Sequence, residues 1–345
     1  MSFIFALFLT LNGPAGATSS EQGVSESRSD FPAGSAWARQ DLEAGQACLR
    51  HGDEKAAIVL WTGHLRREQD SGLLDALGRL YFRQTRLSRA DACYEVLVHH
   101  FPQSALAWYR LGLVRAARGL YRGAADAQRI AVGHAPGFGP AYCALALDLR
   151  ESKQAAMSAW AVREALRLMP RYAGAWNLLG ALQQDGGRLQ DARRSFEEAL
   201  RLEPAYSGAW YNLAQLWDQW GRHDLAWKAY SNAITAKPDF AEAHLARAAL
   251  ALGQGSRSDA RRDFEACAHL DDWAPEAWWG LHRIDRAEGR LNAAAADLRN
   301  YYSSTRRRDR VQDHLAEGGM EEPSAYEADP TSPMNAALRS LIPQP

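Results

Sequence analysis

Apolar residues along most of the chain recur at the three- and four-residue spacing of an amphipathic helix. Residues 173–206 show the pattern as a first helix, a turn, a second helix and a stop, carried by Trp176, Leu179 and Gly180, then Gly186 and Gly187, then Ala192, Phe196 and Ala199, and finally Pro204. Glycine pairs favour turns and proline ends helices. The sequence therefore predicts helical hairpins.

The hairpin pattern repeats with a fixed period. Five prolines are each 34 residues apart: Pro102, Pro136, Pro170, Pro204 and Pro238. The same frame divides the chain into the blocks 71–104, 105–138, 139–172, 173–206, 207–240, 241–274 and 275–308, with a degenerate block at about 38–70. A fixed period of this length is the signature of a repeat protein whose units stack on their neighbours.

Particular residues within the repeat resemble a known family. The motifs Trp108-x2-Leu111-Gly112, Trp176-x2-Leu179-Gly180 and Ala192-x3-Phe196 are similar to those of the tetratricopeptide repeat. The resemblance covers residues 37–308. It implies an all-α, right-handed superhelical solenoid of antiparallel helix-turn-helix repeats, in which the first helices line a concave groove that binds other proteins.

Some blocks depart from the pattern. Block 139–172 lacks a glycine in its turn and has Ser158 where other blocks have alanine, so its geometry is expected to be locally irregular. The last two blocks depart at His244, Arg247 and His282 and are expected to be weaker, terminal repeats. Terminal units of a solenoid are atypical because one of their faces has no neighbouring repeat.

The resemblance implies that ligands lie along the exposed stripe of the first helices. The residues expected there are Arg79, Arg83, Tyr109, Arg110, Asn177, Tyr211, Asn212, Gln215, Trp279 and Arg283. Amides can bond the backbone of an extended peptide, Arg can pair with acidic groups, and Tyr offers rigid contact area. The alternative is that these residues are only the polar face of soluble helices. As an exposed groove residue, Arg110 should tolerate replacement, and Arg110→Ala is expected to change stability by no more than about 0.5 kcal/mol.

Composition limits the possible partners and cofactors. The formal net charge is −1, so nucleic acid is not expected as a partner. The four cysteines are far apart, with no CxxC pair and no Cys/His cluster at metal-ligand spacing, and are interpreted as small core residues: Cys48, Cys93, Cys143 and Cys267. No metal or cofactor is therefore expected.

Both ends of the chain differ in character from the repeats. Phe3–Leu11 is an apolar run too short to span a bilayer, and Ala15–Ala17 supplies small residues at a cleavage point. Residues 1–17 are therefore predicted to be a signal peptide, and the protein is expected to be periplasmic or secreted. Residues 18–36 are predicted to be a flexible spacer. The only positive charge before the run is the amino terminus, so a misassigned start and a cytoplasmic protein are the alternative. Residues 309–345 are predicted to be a largely disordered tail.

The sequence contains none of the motifs HExxH, GxSxG, GxxxxGK[ST] or CxxCH. Because repeats occupy nearly all of the predicted folded region, a non-enzymatic adaptor is the leading interpretation, without catalytic residues. It would bind an extended segment of a cell-envelope or secreted protein. The alternative is an auxiliary subunit of an enzyme complex whose catalyst is another chain. The partner and the oligomeric state do not follow from the sequence.

Overall fold

The computed structural model describes residues 36–65, 70–270 and 274–317. Within these ranges the chain forms sixteen helices and no strand, as predicted for an all-α protein. The helices divide into two compact units, one ending at Met169 and the other beginning at Pro170. In each unit successive helices pair as antiparallel hairpins, and each hairpin packs on the next. Each unit is therefore an all-α repeat solenoid.

Unit 1 contains α1 (Ala36–Arg50), α2 (Glu54–Leu65), α3 (Ser71–Arg83), α4 (Leu87–His100), α5 (Ala105–Ala117), α6 (Tyr121–His134), α7 (Gly139–Glu151) and α8 (Ala155–Leu168). Unit 2 contains α9 (Ala173–Asp185), α10 (Leu189–Leu202), α11 (Ser207–Gln219), α12 (His223–Ala236), α13 (Ala241–Gly253), α14 (Arg257–Ala268), α15 (Ala274–Ala287) and α16 (Leu291–Glu317). The odd-numbered helices are the first helices of the repeats.

Small residues allow the two helices of a hairpin to approach closely. A Cβ atom added at Gly180 in α9 would lie 2.5 Å from the ring of Phe196 in α10. Phe196 is buried together with Ala192 and Ala199, and Trp176 packs against this cluster. The alternation of large and small residues in the repeat is thus a packing requirement, because a larger side chain at Gly180 would force the helices apart.

The tight turn inside each hairpin needs one residue in the left-handed region. Gly187 fills this position with φ of +73°, as the glycine pair predicted. In block 139–172 Lys153 adopts φ of +63° instead. The expected irregularity of this block was therefore wrong for the turn, because a lysine can adopt the same conformation at a modest cost in free energy.

A hydrogen bond links the repeat-ending proline to the next repeat. The indole Nε1 of Trp108 donates to the carbonyl of Pro102 at 2.7 Å, and Trp210 donates to Pro204 at 2.8 Å. Because the proline ends a helix, its carbonyl lacks an intrahelical partner. The tryptophan six residues after the proline therefore packs between hairpins and also gives the proline carbonyl a hydrogen-bond donor.

In the repeat that begins at Ala241, a histidine contacts the proline carbonyl in place of the tryptophan. His244 replaces the tryptophan, and its Nε2 lies 3.1 Å from the carbonyl of Pro238 while its Nδ1 lies 2.9 Å from Asp263. Arg247 binds both oxygens of Asp263, at 2.7 and 2.8 Å. Burial raises the pKa of Asp263, but hydrogen bonds from Arg247 and His244 lower it by more, so the net pKa is depressed. The polar substitutions in this repeat thus form a buried ion network.

The predictions for the chain ends fall mainly outside the described residues. This holds for the signal peptide (1–17) and for nearly all of the spacer (18–36). Residues 309–317, predicted to belong to a disordered tail, are instead the last part of α16, and the rest of the tail lies outside the described residues. No helix among the described residues is long and apolar enough to cross a membrane.

Candidate peptide-binding grooves

The first helices of unit 1 bring four predicted groove residues together, but only two are exposed. Arg79 and Arg83 on α3 are exposed, whereas Tyr109 and Arg110 on α5 are buried, with 2% and 8% of their surfaces accessible. The expectation that Tyr109 and Arg110 are exposed was therefore wrong. Contacts within the chain cover both side chains, since Arg110 pairs with Asp75 on α3 and Tyr109 packs on Phe138.

Arg110 is held by an ion pair within the chain. Its Nη1 atom bonds Oδ1 of Asp75 on α3, and Asp75 is itself 9% exposed. Burial lowers the pKa of Arg110, whereas Asp75 raises it. The net pKa of Arg110 is raised, so its guanidinium stays charged. Arg79 lies on the open side of the same carboxylate, at 4.0 Å. Arg110 is thus part of the interior of unit 1, and Arg79 is its exposed neighbour.

Apolar side chains occupy several groove-facing positions in the middle of unit 1. Leu113 on α5 is buried, and Leu106 and Leu147, at groove-facing positions of α5 and α7, are half-buried. The ring of Tyr109 contacts Phe138 edge-on, with centroids 4.9 Å apart. Arg83 pairs with Glu54 on α2 at 3.2 Å. Leu106, Leu113 and Leu147 are called the apolar floor of this groove, and Arg79 and Arg83 are exposed on the preceding first helix, α3.

The groove of unit 2 is polar. Nδ2 of Asn212 on α11 donates to Oδ1 of Asn177 on α9 at 2.9 Å, and Nε2 of Gln215 donates to the hydroxyl of Tyr211 at 3.0 Å. Asn177 is buried, against the prediction, because Asn212 covers it, while the other three are half-buried. The second amide atom of each of Asn177, Asn212 and Gln215 forms no hydrogen bond with the described residues. These atoms keep donor and acceptor capacity for a ligand.

The two units share one structural rule. Asp75 and Arg110 are 35 residues apart, and so are Asn177 and Asn212. In both cases a residue on one first helix bonds the residue one register position further along the next first helix. Asp75 is not among the predicted residues, although it could have been found as a complementary charge at this spacing.

Trp279 and Arg283 on α15 complete the predicted set. Arg283 is exposed, whereas Trp279 is only half-buried and stacks on His282, with centroids 5.1 Å apart. Tyr301 on α16 lies 5.5 Å from the same indole. Trp279 therefore packs partly within the last hairpin and is less exposed than predicted.

Other chemistry-bearing groups are mostly buried. Cys93, Cys143 and Cys267 are buried and Cys48 is half-buried. Burial raises the pKa of Cys93 and of Cys143 to about 12, so these thiols are inert at neutral pH. Within the described ranges, no His, Cys, Asp and Glu side chains form a group of three or more that could hold a metal ion.

Helical hairpins stacked in two solenoid units, with first helices forming grooves, define a helical repeat protein. A sequence model of the tetratricopeptide repeat matches residues 76–138 and 179–241. No curated protein sequence matches the chain significantly. The predicted resemblance to the tetratricopeptide repeat family is therefore confirmed for these two segments, one in each unit. Repeats of this family are generally protein-interaction scaffolds and are typically non-catalytic.

Solved structures share the fold. A tetratricopeptide repeat protein from Parabacteroides merdae ATCC 43184 matches with a TM-score of 0.61 and 16% identity, over 70% of this chain and 96% of its own. The APC/C hetero-tetramer Cut9–Hcn1 gives 0.57 and 20% over 72% of this chain and 48% of the matched chain. PilF of Pseudomonas aeruginosa gives 0.51 and 20%, over 59% and 97%. At these identities the likeness concerns the fold alone.

Proposed function

We propose that the chain is a non-enzymatic adaptor that binds an extended peptide segment of another protein along its first helices, in the assembly of the cell envelope. The observation that carries the proposal is the amide cluster of Asn177, Asn212 and Gln215 in unit 2. Its members lie on adjacent first helices, and each keeps unused hydrogen-bonding capacity. An extended peptide has unpaired backbone donors and acceptors that such amides can bond.

The two grooves suit different parts of a peptide. In unit 2 the amides favour backbone recognition, which depends little on the side chains of the ligand. In unit 1 the apolar floor favours apolar side chains, and the exposed guanidinium of Arg79 favours an acidic group beside them. We therefore expect the preferred segment to combine apolar and acidic residues.

Site-specific photo-crosslinking tests the proposal. A photoreactive amino acid at Gln215 should capture a short extended segment of a partner in native cells, identified by mass spectrometry of the crosslinked peptide. The same residue at Arg79 should capture a segment that is rich in apolar and acidic residues. Neither side chain is buried, so both substitutions should leave the fold intact.

The matched control is Arg194 on α10, whose side chain is 74% exposed on the outer side of a second helix. A photoreactive residue there should not capture the same segments. Equal capture from Arg194 and Gln215, or capture only from Arg194, would move the binding surface to the outer side and contradict groove binding.

Export is a separate part of the proposal and has its own test. If Met1–Ala17 is a signal peptide, intact-mass analysis of the protein from its native cells should show a chain that begins at Thr18 and fractionates outside the cytoplasm. A chain that retains Met1 or Ser2 in the cytoplasmic fraction would refute export. That result would not contradict peptide binding in the grooves.

A further inference from the structure

The last hairpin exposes aromatic residues at positions that the other repeats cover. Tyr301 on α16 is half-buried and Tyr302 is 52% exposed. In the six repeats between residues 71 and 274 the position of Tyr301 is held by fully buried residues: Leu97, Ala131, Ala165, Ala199, Ala233 and Cys267. The position of Tyr302 is buried or half-buried in all six: Val98, Val132, Leu166, Leu200, Ile234 and Ala268. The two tyrosines therefore lie on a side of the helix that is covered in the other repeats.

The contacts of α14 show what covers this side of a second helix. Phe264 and Cys267 lie in one buried cluster with Leu281 on α15, the first helix of the next repeat. A Cβ atom added at Gly280 of α15 would lie 2.5 Å from the ring of Phe264. Leu298 takes the position of Phe264 on α16 and is only half-buried. This side thus receives the next first helix, and α16 is the last helix that the structure describes.

An aromatic residue of α15 extends the same surface. Trp279 is half-buried, whereas its position is buried in five of the six other repeats: Asp75, Tyr109, Cys143, Asn177 and Leu245. The ring centroids of Trp279 and Tyr301 are 5.5 Å apart, and those of Tyr301 and Tyr302 are 5.3 Å apart. The surface formed by Trp279, Leu298, Tyr301 and Tyr302 is called the terminal face.

Residues 333–342 have the sequence pattern of a short amphipathic helix. Their apolar residues recur at three- and four-residue intervals: Met334, Ala337, Leu338, Leu341 and Ile342. Ser332 and Pro333 are a start signal, because serine is a common N-cap and proline fits the first helical position. Pro343 is a stop signal. The sequence therefore predicts one helix with a single apolar face within the tail.

The apolar face of this segment matches the side of a first helix that packs on the preceding repeat. On α15 that side carries three residues of the cluster shared with α14: Ala277, Leu281 and Ile284. The segment has Met334, Leu338 and Leu341 at the same intervals of four and three residues. Arg339 then falls at the position of Gly180, where a small residue makes room for the second helix of the same hairpin. Packing of the segment on α16 does not use that contact.

The chain between α16 and the segment is long enough for the segment to return to the terminal face. Residues 318–333 can span up to about 55 Å when extended. Tyr302 lies about 22 Å along the helix from Glu317, where α16 ends. A tether of this kind gives the segment an effective concentration on the order of 1 mM near its own chain. The tether therefore favours the segment of the same chain over that of a second copy.

We propose that residues 333–342 dock as a helix on the terminal face of their own chain, in the place that the first helix of a further repeat would take. Met334, Leu338 and Leu341 would cover the apolar surface of the last hairpin, as the corresponding residues of α15 cover α14. The contact involves neither the amide cluster of unit 2 nor Arg79. It is therefore independent of what the proposed peptide grooves bind.

Hydrogen–deuterium exchange of the full-length chain, read by mass spectrometry, tests the proposal. An isolated helix of about ten residues is marginal in water, so its amides exchange fast unless a surface holds it. We expect the amides of residues 334–342 to exchange about tenfold or more slowly in wild type than in the variant Leu338→Asp. The protection should stay the same over an about hundredfold range of protein concentration, because the contact is intramolecular.

Leu338→Asp also reports on the terminal face. The substitution lies outside the repeats, so it leaves their fold intact. Undocking of the segment should speed exchange in the fragment that carries Tyr301 and Tyr302 by about threefold or more, while exchange in α13 stays unchanged.

A pair of variants on α16 locates the contact. Tyr302→Asp places a charge on the terminal face and should abolish the protection of residues 334–342. Leu291→Asp is the matched control, because Leu291 is 68% exposed on the same helix, at a position where Arg257 and His223 are exposed as well. It should behave as wild type. Unchanged exchange in α13 would show that both variants keep the repeats folded.

Three outcomes would overturn the proposal. Fast exchange of residues 334–342 in wild type would show that the segment is not docked. Protection that survives Tyr302→Asp, or that is lost in Leu338→Asp with no change in the fragment carrying Tyr301, would place the segment on another surface. Protection that grows with protein concentration would show that the segment binds a second copy of the chain.

Discussion

Replacing Arg110 by alanine is expected to lower the free energy of unfolding by about 3–5 kcal/mol, the usual cost of breaking a buried ion pair by removing one partner. The carboxylate of Asp75 would remain with 9% of its surface accessible and without its main counter-charge. Arg79 could not replace it fully, because its guanidinium is on the exposed side at 4.0 Å. Urea unfolding followed by circular dichroism measures the effect.

Two controls separate the ion pair from general damage to α5. Arg79→Ala removes a largely exposed charge and should cost no more than about 0.5–1 kcal/mol. The double variant Asp75→Leu with Arg110→Met should recover most of the stability, because it removes both buried charges together. If Arg110→Ala were as mild as Arg79→Ala, Arg110 would be exposed, as predicted from the sequence, and the buried ion pair between Arg110 and Asp75 would be wrong.

The same residue shows where sequence reasoning succeeds and where it stops. Hairpins, turns and repeat boundaries follow from the period, because every repeat must bury the same stripe against its neighbours. The period also assigns Arg110 to the groove-facing side of α5. It cannot tell how deeply that side is covered, since this depends on the particular residue of the preceding first helix. Asp75 makes Arg110 an interior group, and Asn212 likewise covers Asn177.

The conformation of the turn after α7 also could not be predicted from the sequence. The absence of glycine after α7 suggested an irregular hairpin, but Lys153 adopts the left-handed conformation and keeps the turn. Local propensity was overridden because packing of two long helices contributes more free energy than one strained residue costs. Among the groove residues, the exposed ones, such as Arg79 and Arg283, could be placed from the pattern alone because no neighbour covers them.

Asp148 is the second residue whose replacement should have a large effect, here a stabilising one. It lies on α7 at a position where the two preceding repeats have Leu80 and Val114, both buried. Asp148 is 1% exposed, and its Oδ2 atom has no hydrogen-bond partner in the described structure. Burial, with a contribution from Glu151, raises the pKa of Asp148 well above its usual value. The folded chain therefore favours the protonated acid.

A raised pKa makes folding less favourable as pH rises. Below about pH 4 both folded and unfolded chains hold the proton, so Asp148 contributes no pH-dependent difference. Above that pH the unfolded chain releases the proton while the folded chain retains it, so the free energy of unfolding falls until the pH passes the raised pKa. Asp148→Leu should remove this loss and raise the free energy of unfolding at pH 7 by about 1–3 kcal/mol.

The measurement compares urea unfolding of wild type and Asp148→Leu at pH 5 and pH 8. The gain in stability should be larger at pH 8 than at pH 5. Asp91 has a raised pKa and burial raises that of Asp297 to about 6, but both titrate in either protein and cancel in the difference. Asp148→Asn cannot ionise but leaves a polar group unpaired. It should remove the contribution of this carboxyl to the pH dependence, with a smaller gain in the free energy of unfolding. A Leu variant that is less stable than wild type at both pH values would mean that the carboxyl of Asp148 has a partner that stabilises it.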